Sequence, residues 1–340
     1  MKPIDSRRSP KPRSSNRGKA TLKPVDVPAG VVGMGLMGTS IAACLLIAGH
    51  AVAAVDQDAA KRRTARSRLL RLLKGAKKEG ILKADPSNVI GRFTISDSYS
   101  VFGNCGIVIE SVFENIEAKR EVIRNVEEVA SPRTIIGSNT SAIPLSHLQQ
   151  GAIHPERILG IHWGEPAHVL RFMEIICGEQ TDPEVAERVR TLAIHWGKEP
   201  SVLRRDIRGF ITNRCMYALM REAFHLVEAG YATVEDVDRS LRNDLGYWIT
   251  FAGPFRYMDL TGIPAYAAVM RDLFPELCND TKVPALISNL VESGARGVSN
   301  ARGFYPYTKK QAWRWEKRFL EFSYEIRALA KRYSETTQND

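Results

Sequence analysis

The 340-residue chain lacks any apolar run long enough to cross a membrane: its longest, Ile41 to Val55, is broken by Gly49 and His50 and falls short of the roughly 18 residues a spanning helix needs. A membrane-embedded function is therefore not expected. Cysteine is scarce and scattered, at positions 44, 105, 177, 215 and 278, with no C-x-x-C pair. Neither a disulfide framework nor a thiolate metal site is indicated, and a cytoplasmic location is expected. The opening residues also lack the apolar segment of a secretory signal. A hydrophobic fraction of 44% with 25% charged residues excludes the disordered and fibrous classes for the chain as a whole.

Acidic residues are almost absent from residues 1 to 23, where Asp5 alone faces eight Lys and Arg. That segment holds +7 of the net charge of +10, together with three prolines and four serines. It has too little apolar surface to offset its ordering entropy, so residues 1–24 are expected to form a disordered basic tail. The remaining chain is nearly neutral and carries no recognised binding motif, so a nucleic-acid partner is not indicated.

What is present reads as alternating strands and helices. Apolar runs at Ala29 to Gly33, His50 to Val55, Cys105 to Ile109, Thr134 to Gly137 and Arg157 to Ile161 are strand-like, and the stretches at Thr39 to Ala48, Ala59 to Lys78 and Asn115 to Val129 are helix-like. This alternation predicts an α/β fold with a doubly wound parallel sheet. After about Arg205 amphipathic helical segments dominate, such as Ile211 to Glu228 and Val234 to Arg242, and Gln311 to Tyr333 reads as an appended helix. The expected division is a Rossmann-type dinucleotide-binding domain over 25–207, an all-helical domain over 208–310, and a helix and tail over 311–340.

The segment Gly33-Met34-Gly35-Leu36-Met37-Gly38 is G-x-G-x-x-G after a strand and at the start of a helix. There Gly33 permits the tight turn, Gly35 lets a pyrophosphate approach the backbone, and Gly38 lets helix and strand pack closely. Asp56 ends the second strand 23 residues after Gly33, where a carboxylate accepts from an adenosine ribose and repels a 2′-phosphate. NAD is the expected cofactor, although Arg62 and Arg63 nearby keep NADP open.

Hydride loss from a hydroxyl-bearing carbon requires that the O–H proton be taken by a general base with a pKa near neutrality. His162 follows the apolar run Ile158 to Ile161, at the carboxyl end of a strand, the edge where open α/β sheets bind ligands. Glu174 is an acid inside the apolar run Phe172 to Ile176 and needs a partner, either a histidine to orient or an arginine. From the residues alone, Ser141 reads as a helix cap and Asn213 as a solvated helix residue.

These segments, with Val108-Ile109-Glu110-Ser111-Val112-Phe113-Glu114, Ser138-Asn139-Thr140-Ser141, Gly209-Phe210-Ile211-Thr212-Asn213-Arg214 and Gly253-Pro254-Phe255, resemble the L-3-hydroxyacyl-CoA dehydrogenase family in order and spacing. The resemblance runs from Gly33 to Gly303-Phe304-Tyr305. It implies NAD-dependent oxidation of an L-3-hydroxyacyl-CoA to the 3-ketoacyl-CoA, as in fatty-acid β-oxidation. His162 would be the base, Glu174 its orienting carboxylate, and Ser141 and Asn213 the holders of the substrate's oxygens. Glu110 and Asn139 would join Gly33, Gly35, Leu36, Met37, Gly38 and Asp56 at the cofactor. A homodimer through the helical domain is also implied.

The sequence departs from the family after the base, where Phe-Phe-Asn-Pro is replaced by Trp163-Gly164-Glu165-Pro166. That change makes a non-CoA substrate, carnitine-like, a sugar acid or a carrier-bound acyl group, the leading alternative. The basic stretch Lys61 to Lys78 suits a CoA phosphate or an acidic carrier protein, or is simply a solvated face. A lysine-dependent β-hydroxyacid dehydrogenase is disfavoured because Gly209 to Arg214 lacks the lysine, and a catalytically silent NAD-binding protein is disfavoured by the joint presence of His162, Glu174, Ser141 and Asn213.

Overall fold

The computed structural model describes residues 26–334; the expected basic tail over 1–24 and the last residues of the chain lie outside the described residues. The sheet is built from β1 (Ala29–Val32), β2 (Val52–Val55), β3 (Phe93–Ser96), β4 (Ile107–Glu110), β5 (Ile135–Ser138), β6 (Ile158–Trp163), β7 (Phe172–Cys177) and β8 (Glu199–Leu203). Their spatial order is β3-β2-β1-β4-β5-β6-β7-β8. Strands from β3 to β6 run parallel, whereas β7 returns antiparallel to β6. The parallel sheet expected from the alternation thus holds as far as β6. Residues 164–171 are too short for the helical crossover that a parallel neighbour requires, so β7 must reverse.

Successive strand residues point to opposite faces, and both faces are covered. Ala29, Val31, Ile107, Ile109, Leu159 and Ile161 pack into one core with residues of α1 (Leu36–Ala48), α2 (Ala59–Lys78) and α6 (Pro183–His195). The alternate residues Val32, Val108, Ile136 and Ile158 pack into a second core with α4 (Ile116–Val129) and α5 (Leu145–Gln149). Full burial of each Val, Leu or Ile side chain among them contributes about 1.5–3 kcal/mol. The short helix α3 (Pro86–Val89) precedes β3.

Beyond β8 the chain is helical, with α7 (Thr212–Glu228), α8 (Val234–Asn243), α9 (Leu245–Ile249), α10 (Gly253–Thr261), α11 (Ile263–Leu273), α12 (Ala285–Glu292) and α13 (Lys309–Ser334). None of α7, α9, α10, α11 or α12 contributes a buried residue. Tyr247, Phe255 and Val283 are each more than 70% exposed. The helical region of a single chain therefore leaves its apolar faces open to water.

Candidate active site

Because β1, β2, β4, β5 and β6 run the same way, their carboxyl ends gather the glycine turn, Asp56, Glu110, the Asn139–Ser141 loop and His162 along one edge of the sheet. At the turn Gly33 has φ +87°, and a Cβ there would lie 2.7 Å from the Ser111 carbonyl oxygen. A Cβ on Gly38 would sit 1.7 Å from the Gly33 oxygen, whereas one on Gly35 would enter open space. That open space lies at the start of α1, which no side chain caps and whose first turn holds no acid. Exposed Leu36 and half-buried Met37 form the first turn. Free amides at a positive dipole end suit a dinucleotide pyrophosphate.

Asp56 is buried, and its carboxylate accepts from the Met34 amide at 2.7 Å and the Asp58 amide at 2.8 Å. These bonds tie the end of β2 to the glycine turn and leave lone pairs for ribose hydroxyls. Arg62 is engaged elsewhere: it donates to the Asp56 and Gln57 carbonyls at 2.8 and 2.9 Å and pairs with Asp97 at 3.0 Å. With Arg62 committed and Asp56 at the ribose position, the turn fits NAD.

His162 and Glu174 are direct cross-strand partners on β6 and β7. His162 Nδ1 lies 2.8 Å from Glu174 Oε2, and the other carboxylate oxygen accepts from the Ile211 and Thr212 amides at 3.0 and 2.9 Å. Burial pushes the Glu174 carboxyl up, but the bonds from His162, Thr212 and Ile211 outweigh it and hold its pKa below the ordinary carboxylate value. An ionised Glu174 only accepts, so Nδ1 carries the proton and Nε2 of neutral His162 presents its lone pair. Phe172 and Phe210 pack edge-on against the imidazole at 5.5 and 5.6 Å between ring centres. The pair expected at Glu174 is thus the histidine, not an arginine.

Two of the remaining predicted residues, Asn213 and Ser141, join this pair through α7. Gly209 (φ +82°) and Phe210 (φ +53°) turn the backbone so that the next two amides face Glu174. Asn213, one residue on, donates to the Ser141 carbonyl at 2.8 Å. Ser141 caps no helix; its amide bonds Glu114 at 2.9 Å in the loop after β5. Asn139 accepts from the Trp163 amide at 3.0 Å and so ties that loop to the end of β6. Glu110 is fully buried, and its carboxylate receives Val112 N at 2.6 Å, Ser138 Oγ at 2.6 Å and Lys119 Nζ at 2.9 Å. Its side chain is turned inward, bracing the loops after β4 and β5. Lys119 and the amides of Ile211 and Thr212 had no signal in the sequence, although Gly209 marks the turn that aims the amides.

The sequence pattern of the 3-hydroxyacyl-CoA dehydrogenase NAD binding domain matches residues 28–207, and that of the same enzyme's C-terminal domain matches residues 209–307. The chain belongs to the 3-hydroxyacyl-CoA dehydrogenase family. It is an NAD-dependent oxidoreductase acting on CH–OH groups. Among relatives, 5-formyl-3-hydroxy-2-methylpyridine 4-carboxylate 5-dehydrogenase of Mesorhizobium japonicum is 36% identical over 283 residues, 83% of this chain and 91% of that one. The 3-hydroxybutyryl-CoA dehydrogenase of Mycobacterium tuberculosis is 31% identical over 281 residues, 82% of this chain and 97% of that one. A crystal structure of a 5-formyl-3-hydroxy-2-methylpyridine 4-carboxylic acid 5-dehydrogenase, described as an NAD+ dependent dismutase, superposes with a TM-score of 0.83 at 31% identity, covering 89% of this chain and 98% of that one. That of (S)-3-hydroxybutyryl-CoA dehydrogenase from Ralstonia eutropha gives 0.68 at 28% identity, covering 83% and 99%.

The departure from the family after the base has a structural counterpart. Trp163 turns into the core and stacks on Trp196 at 5.4 Å, and a Cβ on Gly164 would press on Leu170 at 2.9 Å. Burial pushes the Glu165 carboxyl up against hydrogen bonds from Ser40 and the Ala167 amide. Ser40, on α1, also bonds His168 Nδ1 at 3.0 Å. His168 carried no pattern in the sequence, yet burial, with the Lys198 and Arg327 cations, pulls its pKa down to about 4.

That histidine makes stability fall in mild acid. Unfolded, it titrates near 6.5; between there and about 4 the unfolded chain binds a proton that the folded chain refuses. Stability therefore drops as pH falls through this window, by about 3 kcal/mol from His168 alone. Urea unfolding at pH 7.5 and pH 4.5 is expected to show this loss, and His168→Asn to remove most of it; an equal loss in the variant contradicts the assignment.

Proposed function

We propose that the chain oxidises the 3-hydroxyl of an L-3-hydroxyacyl thioester, with His162 as general base. The observation that carries this reading is the His162–Glu174 pair, which leaves Nε2 free as a proton acceptor at the carboxyl edge of the sheet. Glu174 keeps the proton on Nδ1 before the reaction and stabilises the imidazolium after it, by the logic of a hydrolase triad. Ser141 and Asn213 orient the reacting hydroxyl and the thioester carbonyl. Gly33, Gly35, Leu36, Met37 and Gly38 receive the pyrophosphate, Asp56 the adenosine ribose, and Asn139, with the loops that Glu110 braces, the nicotinamide side. When bound, NAD supplies the hydride acceptor.

A second reading, a free carboxylated substrate, has specific support. Of the cations on α2, Arg62, Arg66, Arg68 and Lys77 already donate to carbonyls of this chain, which leaves fewer for a CoA phosphate. The Mesorhizobium relative acts on a pyridine carboxylate aldehyde by its name. The same base serves a hydrated aldehyde, R–CH(OH)2: it takes one hydroxyl proton while the C–H hydride goes to NAD, giving the acid. NADH formation across 3-hydroxybutyryl-CoA, longer 3-hydroxyacyl-CoAs, L-carnitine, free 3-hydroxy acids and 5-formyl-3-hydroxy-2-methylpyridine 4-carboxylate separates the two. Turnover of the thioesters supports the first reading, and turnover of the pyridine aldehyde alone replaces it with the second.

The open apolar faces of the helical region call for a partner, and a second copy of this chain is the occupant the reading assigns. Light scattering is expected to give about twice the chain mass of 37.9 kDa. A mass of one chain contradicts the assignment.

A further inference from the structure

The loop 164–171 leaves β6 directly after His162 and Trp163 and is held from behind by two cations. Lys198 Nζ donates to the Ala167 and Leu170 carbonyls and stands 5.0 Å over the Trp163 ring. Arg327 Nη1 donates to the carbonyl between them, that of Val169. Arg327 belongs to α13, which follows the last residue of the matched C-terminal domain. The helix reaches the Rossmann-type region by this residue and its neighbours: Arg327 Nη2 passes within 3.2 Å of where a Gly197 Cβ would stand, Tyr324 lies against Gly75 of α2, and Ser323 is buried. Among the described residues Arg327 has no carboxylate within ion-pair distance, and burial lowers its pKa. A half-buried guanidinium bound to a peptide carbonyl alone is a poor source of net stability. Its geometric effect is specific, because a charge-assisted bond fixes the Val169 carbonyl, which neither Lys198 nor Ser40 holds.

We propose that Arg327 is a positioning residue for the reaction: by holding Val169 it sets loop 164–171, and hence the wall of the site beside His162. The inference rests on reading His162 as the reacting centre. It makes α13, a helix beyond the family's two domains, part of the catalytic apparatus rather than an appendage. Displacing a site wall by about 1 Å lowers turnover as much as a hundredfold, while the glycine turn from Gly33 to Gly38 lies outside the loop that Arg327 holds.

The test uses full-length Arg327→Ala and Arg327→Lys, with exposed Arg318→Ala on the same helix as control. Hydrogen exchange in peptides covering 164–171, NADH affinity by fluorescence, and kcat and KM for whichever CH–OH substrate the wild type oxidises are measured. In Arg327→Ala, exchange in the loop is expected to rise and kcat to fall about ten- to hundredfold with NADH affinity unchanged. Sub-denaturing guanidinium restores both, and Arg327→Lys recovers part. Unchanged exchange in the loop, faster exchange with unchanged kcat, or a loss that guanidinium does not repair and NADH affinity shares, each overturns the proposal. If no substrate is oxidised, the reading of the site fails separately, and exchange in the loop still decides whether Arg327 holds it.

Discussion

Replacing His162 with alanine is expected to lower kcat by about 10²–10⁴-fold, the contribution of a positioned general base, while NAD binds as before. The two effects separate because His162 lies near the end of β6, next to its final residue Trp163, whereas the cofactor turn is built from β1, α1 and Asp56. Glu174→Gln keeps the shape but loses the charge. It also lets Nδ1 face either an amide oxygen or an amide nitrogen, so the tautomer is no longer enforced. Its kcat is expected to fall less than that of His162→Ala, and the double variant to be no worse than His162→Ala alone, since Glu174 acts through the histidine. Stopped-flow single turnovers with NAD measure this without interference from product release. Equal activity in His162→Ala and wild type removes His162 from the chemistry.

Lys119→Met is expected to destabilise the folded chain by about 3–5 kcal/mol, because it leaves the Glu110 carboxylate buried without its cation. Both side chains are 0% exposed. Glu110→Gln in the same chain removes the stranded charge, so the double variant recovers most of the loss. Urea unfolding followed by circular dichroism checks both. The defect extends to function: Glu110 also holds Ser138 Oγ and the Val112 amide, so the loops that carry Asn139 and Ser141 loosen and the KM for NAD rises. A single variant as stable as wild type means that the pair is solvated, contrary to its burial.

The chemistry of the site was legible where a polar residue interrupts an apolar strand. His162 and Glu174 sit in β6 and β7, whose other residues are mostly apolar, and a polar group in such a run must be partnered. Their pairing was implied by the family resemblance but left open by the residues alone, because it depends on β7 running antiparallel; only the short 164–171 connection carried that information. The central strands β1, β4 and β5 announced themselves by apolar runs. The edge strands β3 and β8 did not, since β8 contains Pro200 and keeps Glu199 and Ser201 exposed. Lys119 looked like one more charge on a charged helix among Glu117, Arg120 and Glu121, and nothing in its spacing foretold a buried position. His168 and Arg327 were silent for the same reason: each acquires its role from a contact with a segment remote in sequence, Ser40 for one and Val169 for the other.

Direct hydride transfer from a CH–OH carbon to NAD would depend on His162 as the base. It is tested most directly by incubating the full-length protein with NAD and 3-hydroxybutyryl-CoA deuterated at C3, then locating the label by mass spectrometry. Deuterium is expected in the reduced nicotinamide, with a slowed single turnover relative to the unlabelled thioester, and His162→Ala is expected to form the labelled nicotinamide about 10²–10⁴-fold more slowly. Reduction with the deuterium lost to water contradicts direct transfer, and absence of NAD reduction by this thioester removes the acyl-thioester reading.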